Sequence, residues 1–195
     1  EDAHLGLLGI LNSSLACFYF QQVCHNKGGP GGGSSKDEKW HDFYEHDGGK
    51  VALLPLVEAR PADVARQIDA LAQGLSTASP SYLLAQVSLP RRASLDAANH
   101  VREGLLSNMV ALQEELDWRV YGLYGLVASD VVHANPPPLR PGERAFEIVM
   151  ARRLATGTLQ TRWFEWLKIT PVTEIPTRWP ADYRQLVQRR IDLIE

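Results

Sequence analysis

The amino-acid sequence predicts a mainly α-helical protein with a small α+β piece near its N-terminus. Apolar residues recur at intervals of three and four along most of the chain, which is the pattern of helices with one buried face. A looser alternation, typical of a strand, is found only early, in residues 50–57. With 195 residues, of which 45% are hydrophobic, the chain is long enough to bury a core of its own.

The first element is predicted to be one helix over residues 5–23, with Leu8, Leu11 and Leu15 on its buried face. Residues 28–35 are too rich in glycine to hold one conformation unless a ligand or partner orders them. After a turn at residues 48–49, residues 50–57 are predicted to form a strand that Pro55 confines to a sheet edge.

The rest of the chain is predicted to be helical. Pro61 fits the first turn of an amphipathic helix that ends before Gly74. Residues 74–92 are predicted to be a connector with a turn of helix, and residues 95–123 carry the longest apolar stripe in the chain. Residues 135–138, Asn-Pro-Pro-Pro, form a stiff extended break. Three further helices are predicted at about residues 143–154, 161–167 and 181–194.

Charge is distributed unevenly along the chain, although the net charge is only −3. Residues 1–58 contain four Lys/Arg and eight Asp/Glu, whereas residues 140–190 contain ten and five. A phosphate-facing surface is therefore expected in the C-terminal third or in local loops. The C-terminal candidates are Arg152, Arg153, Arg189 and Arg190, whose alternative role is to complement helix dipoles late in two helices.

The cysteines and the hydropathy pattern indicate the cellular compartment of the protein. Cys17 and Cys24 lie seven residues apart in a helical pattern, too far along the axis for a disulfide, so we expect reduced thiols and a cytoplasmic location. Asn12 and two serines interrupt the only apolar run that approaches membrane-spanning length. The chain also begins without Met and inside a helical pattern, so we expect it to be part of a larger protein.

Several local patterns partly match nucleotide, metal or catalytic sites, but none has the full set of features. The glycine-rich loop lacks the spacing and the flanking elements of a nucleotide-binding loop. Cys24 with His25, His41 and His46 matches no closed zinc pattern, so no metal is predicted. Glu114, Glu115 and Asp117 are interpreted as a solvated helix face.

Residues 135–137 invite comparison with the Asn-Pro-Pro-aromatic motif that amino-methyltransferases use to hold a flipped base. The fourth residue is Pro138, which offers no ring for stacking, and the segment follows a helix, not a strand. We therefore predict a stiff linker at this position and no catalytic residue in the chain.

Two N-terminal segments resemble DNA-modifying enzymes. Residues 8–14 contain Leu-Asn-Ser and resemble a helix near the end of target-recognition domains in Type IIG-like restriction-modification methylases. Residues 22–28, followed by the glycines and Lys39-Trp40, look like the very large adenine-specific DNA methyltransferases of phage-defence systems, of the BREX (phage growth limitation) and DISARM type.

Two C-terminal segments are similar to the same family. Residues 112–126 resemble its helical Glu-Leu-Asp-Trp…Tyr-x-Leu-Tyr-Gly-Leu segment. Residues 163–165, 171–176 and 179–184, with residues 189–191, resemble a segment near its C-terminal end. The resemblance thus spans nearly the whole chain.

The resemblance implies a C-terminal portion of such an enzyme, with residues 1–58 as the end of a target-recognition domain and residues 59–195 as a helical C-terminal region. Parent enzymes transfer a methyl group from S-adenosylmethionine to the exocyclic amine of adenine in double-stranded DNA. Their cofactor-binding and catalytic motifs lie upstream, so no cofactor and no catalytic residue are expected in this fragment.

The residues expected at or near the DNA include a set around the glycine-rich loop: Asn12, Ser13, Lys27, Lys36, Lys39 and Trp40. A competing hypothesis makes the helical region a platform that docks other phage-defence proteins through the apolar stripe of residues 95–123 and does not touch DNA. A third is an independent enzyme, which a methyl-transfer assay would reveal. No membrane partner is expected.

Overall fold

The computed structural model describes residues 2–28, 42–86, 89, 91–128 and 131–195. In chain order its elements are α1 (Asp2–Leu11), α2 (Ser14–Val23), β1 (His25–Gly28), β2 (Phe43–Glu45), α3 (Gly48–Ala52), α4 (Ala62–Thr77), α5 (Pro80–Gln86), α6 (Arg92–Leu123), α7 (Ala145–Ala155), α8 (Trp163–Leu167) and α9 (Ala181–Ile194). The predicted fold class, mainly α with a small α+β piece, is confirmed.

The apolar N-terminal stretch forms two helices, so the prediction of one helix was wrong. α1 and α2 meet at an angle of 63°. At the break, the Ser13 hydroxyl donates to the Ile10 carbonyl at 2.6 Å and accepts from the Ala16 amide at 3.3 Å. The serine side chain thus caps α2 and competes with the continuous helical hydrogen-bond pattern.

The strands lie elsewhere than the sequence indicated. β1 and β2 pair antiparallel, with His25 opposite Glu45 and Asn26 opposite Tyr44. The predicted edge strand over residues 50–57 is wrong, because residues 48–52 form α3 and the following residues form no strand. The Asp47 carboxylate accepts from the Lys50 amide at 2.8 Å, a capping bond that favours a helical start over an extended chain.

The helical region follows the predicted order. α6 is continuous over 32 residues, despite the glycines at 104 and 122. The connector contains α5, and α7, α8 and α9 occupy the three positions predicted after the proline break. α6 packs against α2, α4 and α5, and α4 packs against α1 as well, so α4 and α6 together connect the N-terminal helices to the rest of the helical region.

Three apolar clusters form the core. One joins the end of α6 to α7 and α9 around Trp118, Ile148 and Tyr183. A second holds α1, α2 and the residues after α3 together around Ile10, Phe20 and Leu54. The third lies between α4 and α6, where Val64 meets Leu116 and Val120.

Within the described residues, no single helix is long and apolar enough to cross a membrane. α1 and α2 reach the necessary length and composition only as a bent pair, and Ile10, Ala16 and Phe20 of this pair belong to the second core cluster.

Candidate functional site

Three carboxylates near the end of α6 are buried. Glu114, Glu115 and Asp117, here called the acidic cluster, are 2%, 1% and 2% exposed. The interpretation of these residues as a solvated face was therefore wrong. Burying an unpaired carboxylate costs on the order of several kcal/mol of folding free energy. The neighbouring elements must therefore supply compensating charge and hydrogen-bond donors.

Arg144, the N-cap residue of α7, compensates one side of the acidic cluster. Its Nε donates to Glu114 Oε2 at 2.8 Å and its Nη2 pairs with Asp117. Glu114 Oε1 accepts from Trp118 Nε1 at 2.9 Å and from the Ala145 amide at 3.3 Å. These bonds attach the start of α7 to α6.

Arg190 of α9 compensates the other side and is fully buried, with 0% exposure. Its Nη2 donates to Glu115 Oε2 at 2.5 Å. Its Nε and Nη2 also donate to the Val131 carbonyl at 2.9 and 2.7 Å. The guanidinium lies 5.4 Å from the ring centroid of Trp118 and 5.9 Å from that of Tyr183. α9 is thereby attached to the same segment of α6.

The N-terminal helices reach the acidic cluster as well. The Ser14 amide, the first of α2, donates to Asp117 Oδ1 at 2.8 Å, and the Ser14 hydroxyl lies 2.5 Å from the Tyr121 hydroxyl. The Gln113 side-chain amide donates to the Asn12 carbonyl at 3.1 Å. A helix N-terminus that points its free amide at a carboxylate also places its dipole favourably.

All six carboxylate oxygens of the acidic cluster accept hydrogen bonds. Glu115 Oε1 accepts from the Tyr183 hydroxyl at 3.3 Å, and its Oε2 also accepts from the His133 amide at 2.7 Å. Each of these oxygens is therefore occupied by a donor from the protein, and none is left open to exchange a proton with a substrate. The arrangement therefore fits a structural role, in which one segment of α6 holds α2, α7 and α9 in place.

The electrostatics differ between the two carboxylates that share Arg144. Burial works to raise the pKa of Glu114, but the guanidiniums of Arg144 and Arg190 together hold it below its ordinary value. Burial raises the pKa of Asp117 above its ordinary value, with a contribution from the Glu114 carboxylate, although Arg144 and the Ser14 amide act in the opposite direction. Despite burial, the surrounding carboxylates raise the pKa of Arg144 and of Arg190, so both guanidiniums stay charged.

The predicted DNA-facing residues of the N-terminal piece lie in different environments. Asn12 is exposed, whereas Ser13 is buried and caps α2. Lys27 on β1 is exposed and pairs across the two strands with Glu45 at 3.1 Å. Lys36, Lys39 and Trp40 lie outside the described residues.

The predicted C-terminal arginines lie in different environments. Arg152 is half-buried, and its Nε donates to the Thr173 carbonyl at 2.8 Å. Arg153 in the last turn of α7 and Arg189 on α9 are exposed. Arg190 does not fit the prediction of a phosphate contact, because its buried guanidinium is already bound to Glu115 and the Val131 carbonyl. We therefore remove it from the DNA-facing set.

The described part of the chain does not fit the requirements of a metal or nucleotide site. Cys24 Sγ lies 3.8 Å from His46 Nδ1. Within the described ranges, no group of three or more His, Cys, Asp or Glu side chains could hold a metal ion. The described strands form one two-stranded antiparallel sheet, which does not fit the strand-turn-helix nucleotide sites of parallel sheets.

The sequence does contain a signal for the burial of the acidic cluster, namely apolar residues on two faces of α6, although the charges of the cluster favour a solvated face. Leu116 and Val120 mark the face of α6 that meets α4, while Ala111 and Trp118, seven residues apart, mark the face that meets α7 and α9. A helix that is apolar on two faces also buries what lies between them. Carboxylates in such a position predict arginine partners from other elements.

The fold and the fully bonded acidic cluster define a helical region whose charged residues hold its elements together. Residues 109–195, which contain the acidic cluster and both arginines, match a family model described as a domain of unknown function (DUF7008). No solved structure matches the chain.

The whole chain is similar to a part of a longer enzyme. It is 44% identical over 205 residues to the adenine-specific methyltransferase PglX of Streptomyces coelicolor, an alignment that covers 100% of this chain and 17% of that protein. Identity at this level shows common ancestry with a part of an adenine-specific methyltransferase. The resemblance drawn from the sequence, to a part of a large adenine-specific methyltransferase, is confirmed.

Proposed function

We propose that the chain is the DNA-recognition and helical C-terminal portion of an S-adenosylmethionine-dependent, adenine-specific DNA methyltransferase of a restriction-modification-like phage-defence system. Residues 1–58 would form the end of the target-recognition domain, and residues 59–195 the helical C-terminal region. The whole enzyme would act on double-stranded DNA. The 44% identity to PglX over the entire chain is the observation that carries this proposal.

The cofactor would supply the methyl group for transfer to the exocyclic amine of adenine. The residues described in this chain do not fit an S-adenosylmethionine site, since their sheet is two-stranded and antiparallel and Asn135-Pro136-Pro137 is followed by proline. We therefore assign no methyl-transfer step to this chain. Its part in the reaction would be to position the recognition elements.

The acidic cluster gives this positioning role a physical basis. Ser14 of α2, in the proposed recognition part, donates to Asp117. Arg144 fixes the start of α7, and Arg190 the C-terminal part of α9, to the same acidic cluster of α6. Tyr124 adds a second link, because its hydroxyl donates to the Pro55 carbonyl at 2.6 Å. A motion of the helical region would therefore be passed to the recognition part.

Exposed cations would supply the contacts with the DNA backbone. Lys27, Arg153 and Arg189 are exposed and Arg152 is half-buried. The ion pair between Lys27 and Glu45 is half-exposed on both sides, 55% and 50%, and such pairs contribute about 0–1 kcal/mol. Lys27 can therefore exchange its carboxylate partner for a phosphate. Asn12, Lys36, Lys39 and Trp40 complete the proposed set.

Replacement of Lys27, Lys36 and Lys39 together by Ala in the full-length protein tests the proposal. We expect weaker binding to all duplex sequences and a shallower dependence of the binding constant on salt, by about one unit of slope per lost phosphate contact. Fluorescence anisotropy across a salt series measures both. The control replaces Arg91 and Arg92, which are exposed near the start of α6. An affinity and slope equal to those of the unmodified protein would contradict the DNA-facing assignment.

The platform hypothesis has less support from the structure. Much of the apolar stripe of α6 is used inside the chain, since Ala111, Leu116, Trp118 and Val120 are buried in the core clusters. The similarity to a methyltransferase also does not favour it. Light scattering of the purified chain separates the two, because a platform would form a partner-dependent complex that is indifferent to DNA.

A further inference from the structure

The proline break borders a cleft that the proposed function does not use. Pro137 and Pro138 form one wall and α6 forms the other, with His100, Glu103 and Ser107 on its lining. The Leu139 amide donates to the Ser107 carbonyl at 3.1 Å and fixes the two walls to each other. The cleft has a volume of about 490 Å³, within the range of about 300–1,000 Å³ for small-molecule sites.

Two arginines line this cleft and differ in how their charge is used. The Arg140 side chain is exposed and makes no ion pair with any described residue, although its backbone amide donates to Glu143 Oε2 at 2.7 Å. Arg178 pairs with Glu143 and remains 43% exposed. Arg140 therefore has a positive charge that could pair with a ligand in the cleft. His100 lies on the opposite wall.

Two other residues of the lining affect what the cleft would bind. Glu103 places a negative charge in the same cleft as the two arginines, and its Oε1 accepts from the Asn99 side chain at 3.0 Å. Trp179 is 3% exposed, and its indole N–H is buried without a hydrogen-bond partner. An unpaired buried donor is costly and is commonly explained by an acceptor from a ligand or water.

A second, mostly apolar cavity shares a lining residue with the cleft. This cavity, of about 390 Å³, shares Asn108 with the cleft, and its other lining residues include Ala70, Leu71, Leu112, Asn135 and Pro136. One segment, residues 134–138, therefore borders the arginine-lined cleft at one end and the apolar cavity at the other. Because prolines fix the backbone, this shape needs little ordering when a ligand enters.

We propose that the cleft binds a phosphate group whose attached nucleoside lies toward the apolar cavity. Guanidinium groups match the geometry and charge of phosphate, and Arg140 would be the principal contact, with Arg178 and His100 beside it. A DNA strand or a free nucleotide carries this chemistry. The DNA source rests on the proposed function, whereas the free nucleotide does not.

Titration of the 195-residue chain with inorganic phosphate, AMP and a short DNA duplex tests the site by calorimetry. Arg140→Ala should weaken binding about tenfold, the loss expected for one charged hydrogen bond, and Glu103→Gln should strengthen it. Arg184→Ala is the matched control, because Arg184 is exposed on α9 and does not line the cleft. In ¹⁵N-labelled protein, the Trp179 indole resonance, assigned by its loss in Trp179→Phe, should shift on binding.

The outcomes separate the cleft from the proposed function. Opposite effects of Arg140→Ala and Glu103→Gln on AMP or duplex binding support the site. Duplex binding that neither variant changes overturns the site and leaves the DNA function standing. AMP binding with both effects, but no duplex binding, supports the site with a nucleotide as its ligand and counts against DNA contact. Absence of binding to all three probes overturns the site.

Discussion

Arg190 is the largest side chain that is fully buried in the described part of the chain, and its removal tests the role of the acidic cluster. Arg190→Met keeps much of the apolar volume but deletes the guanidinium. Glu115 then keeps only the Tyr183 hydroxyl and the His133 amide as donors, and the Val131 carbonyl loses both of its arginine donors. The weaker ion pair with Glu114, at 3.7 Å, is lost as well.

The expected cost follows from leaving a buried carboxylate uncompensated. Breaking a buried ion pair by removing one partner costs about 3–5 kcal/mol, a large share of the roughly 5–15 kcal/mol by which a domain is stable. Urea denaturation of the chain, followed by circular dichroism, measures the difference. Arg184→Met on the same helix is the control and should stay within about 0.5 kcal/mol of the unmodified chain, because Arg184 is exposed.

A second substitution keeps the test informative if Arg190→Met does not fold. Glu115→Gln in the same chain removes the uncompensated charge, so the double variant should be more stable than Arg190→Met alone. A free energy of unfolding that falls by less than about 1 kcal/mol in Arg190→Met would refute the reasoning. Strict additivity of the two substitutions would refute it too, since residues in one ion pair should be coupled.

Two further predictions concern packing and pH. An Ala side chain at Gly104 of α6 meets nothing within 4 Å, so Gly104→Ala should stabilise the chain by about 0.5–1 kcal/mol. At Gly6 the new Cβ would lie 2.8 Å from Arg60 Cβ, so Gly6→Ala should destabilise by about 1–3 kcal/mol before any gain in helix propensity; equal melting temperatures of the two variants would contradict this. Burial raises the pKa of Glu147 despite hydrogen bonds from Trp163 and two backbone amides. Its contribution to stability is therefore present below its unfolded-state pKa and is lost as the pH rises through its folded-state pKa. As the pH rises from about 4, near the ordinary glutamate pKa, to about 7, the free energy of unfolding of Glu147→Gln should increase relative to that of the unmodified chain, as measured by urea denaturation. A difference in unfolding free energy that does not change with pH would contradict the raised pKa.

Local patterns were sufficient for most helices. The regular apolar spacing of residues 95–123 predicted α6, because a helix that packs on a core must repeat apolar residues every three or four positions. The same pattern could not show the bend between α1 and α2. That bend depends on a hydrogen bond from Ser13 back to Ile10, and the capped turn competes closely with a continuous helix.

The sequence by itself determined the mainly helical class, the order of the C-terminal helices and, through its resemblance, descent from a part of an adenine-specific methyltransferase. Only the tertiary structure decided which charges are buried. Glu114, Glu115 and Asp117 have the composition of a solvated face, and their arginine partners lie 27 to 76 positions away in the sequence. Local spacing carries no information about such distant partners, whereas the cost of burying an unpaired charge makes them obligatory once the helices pack.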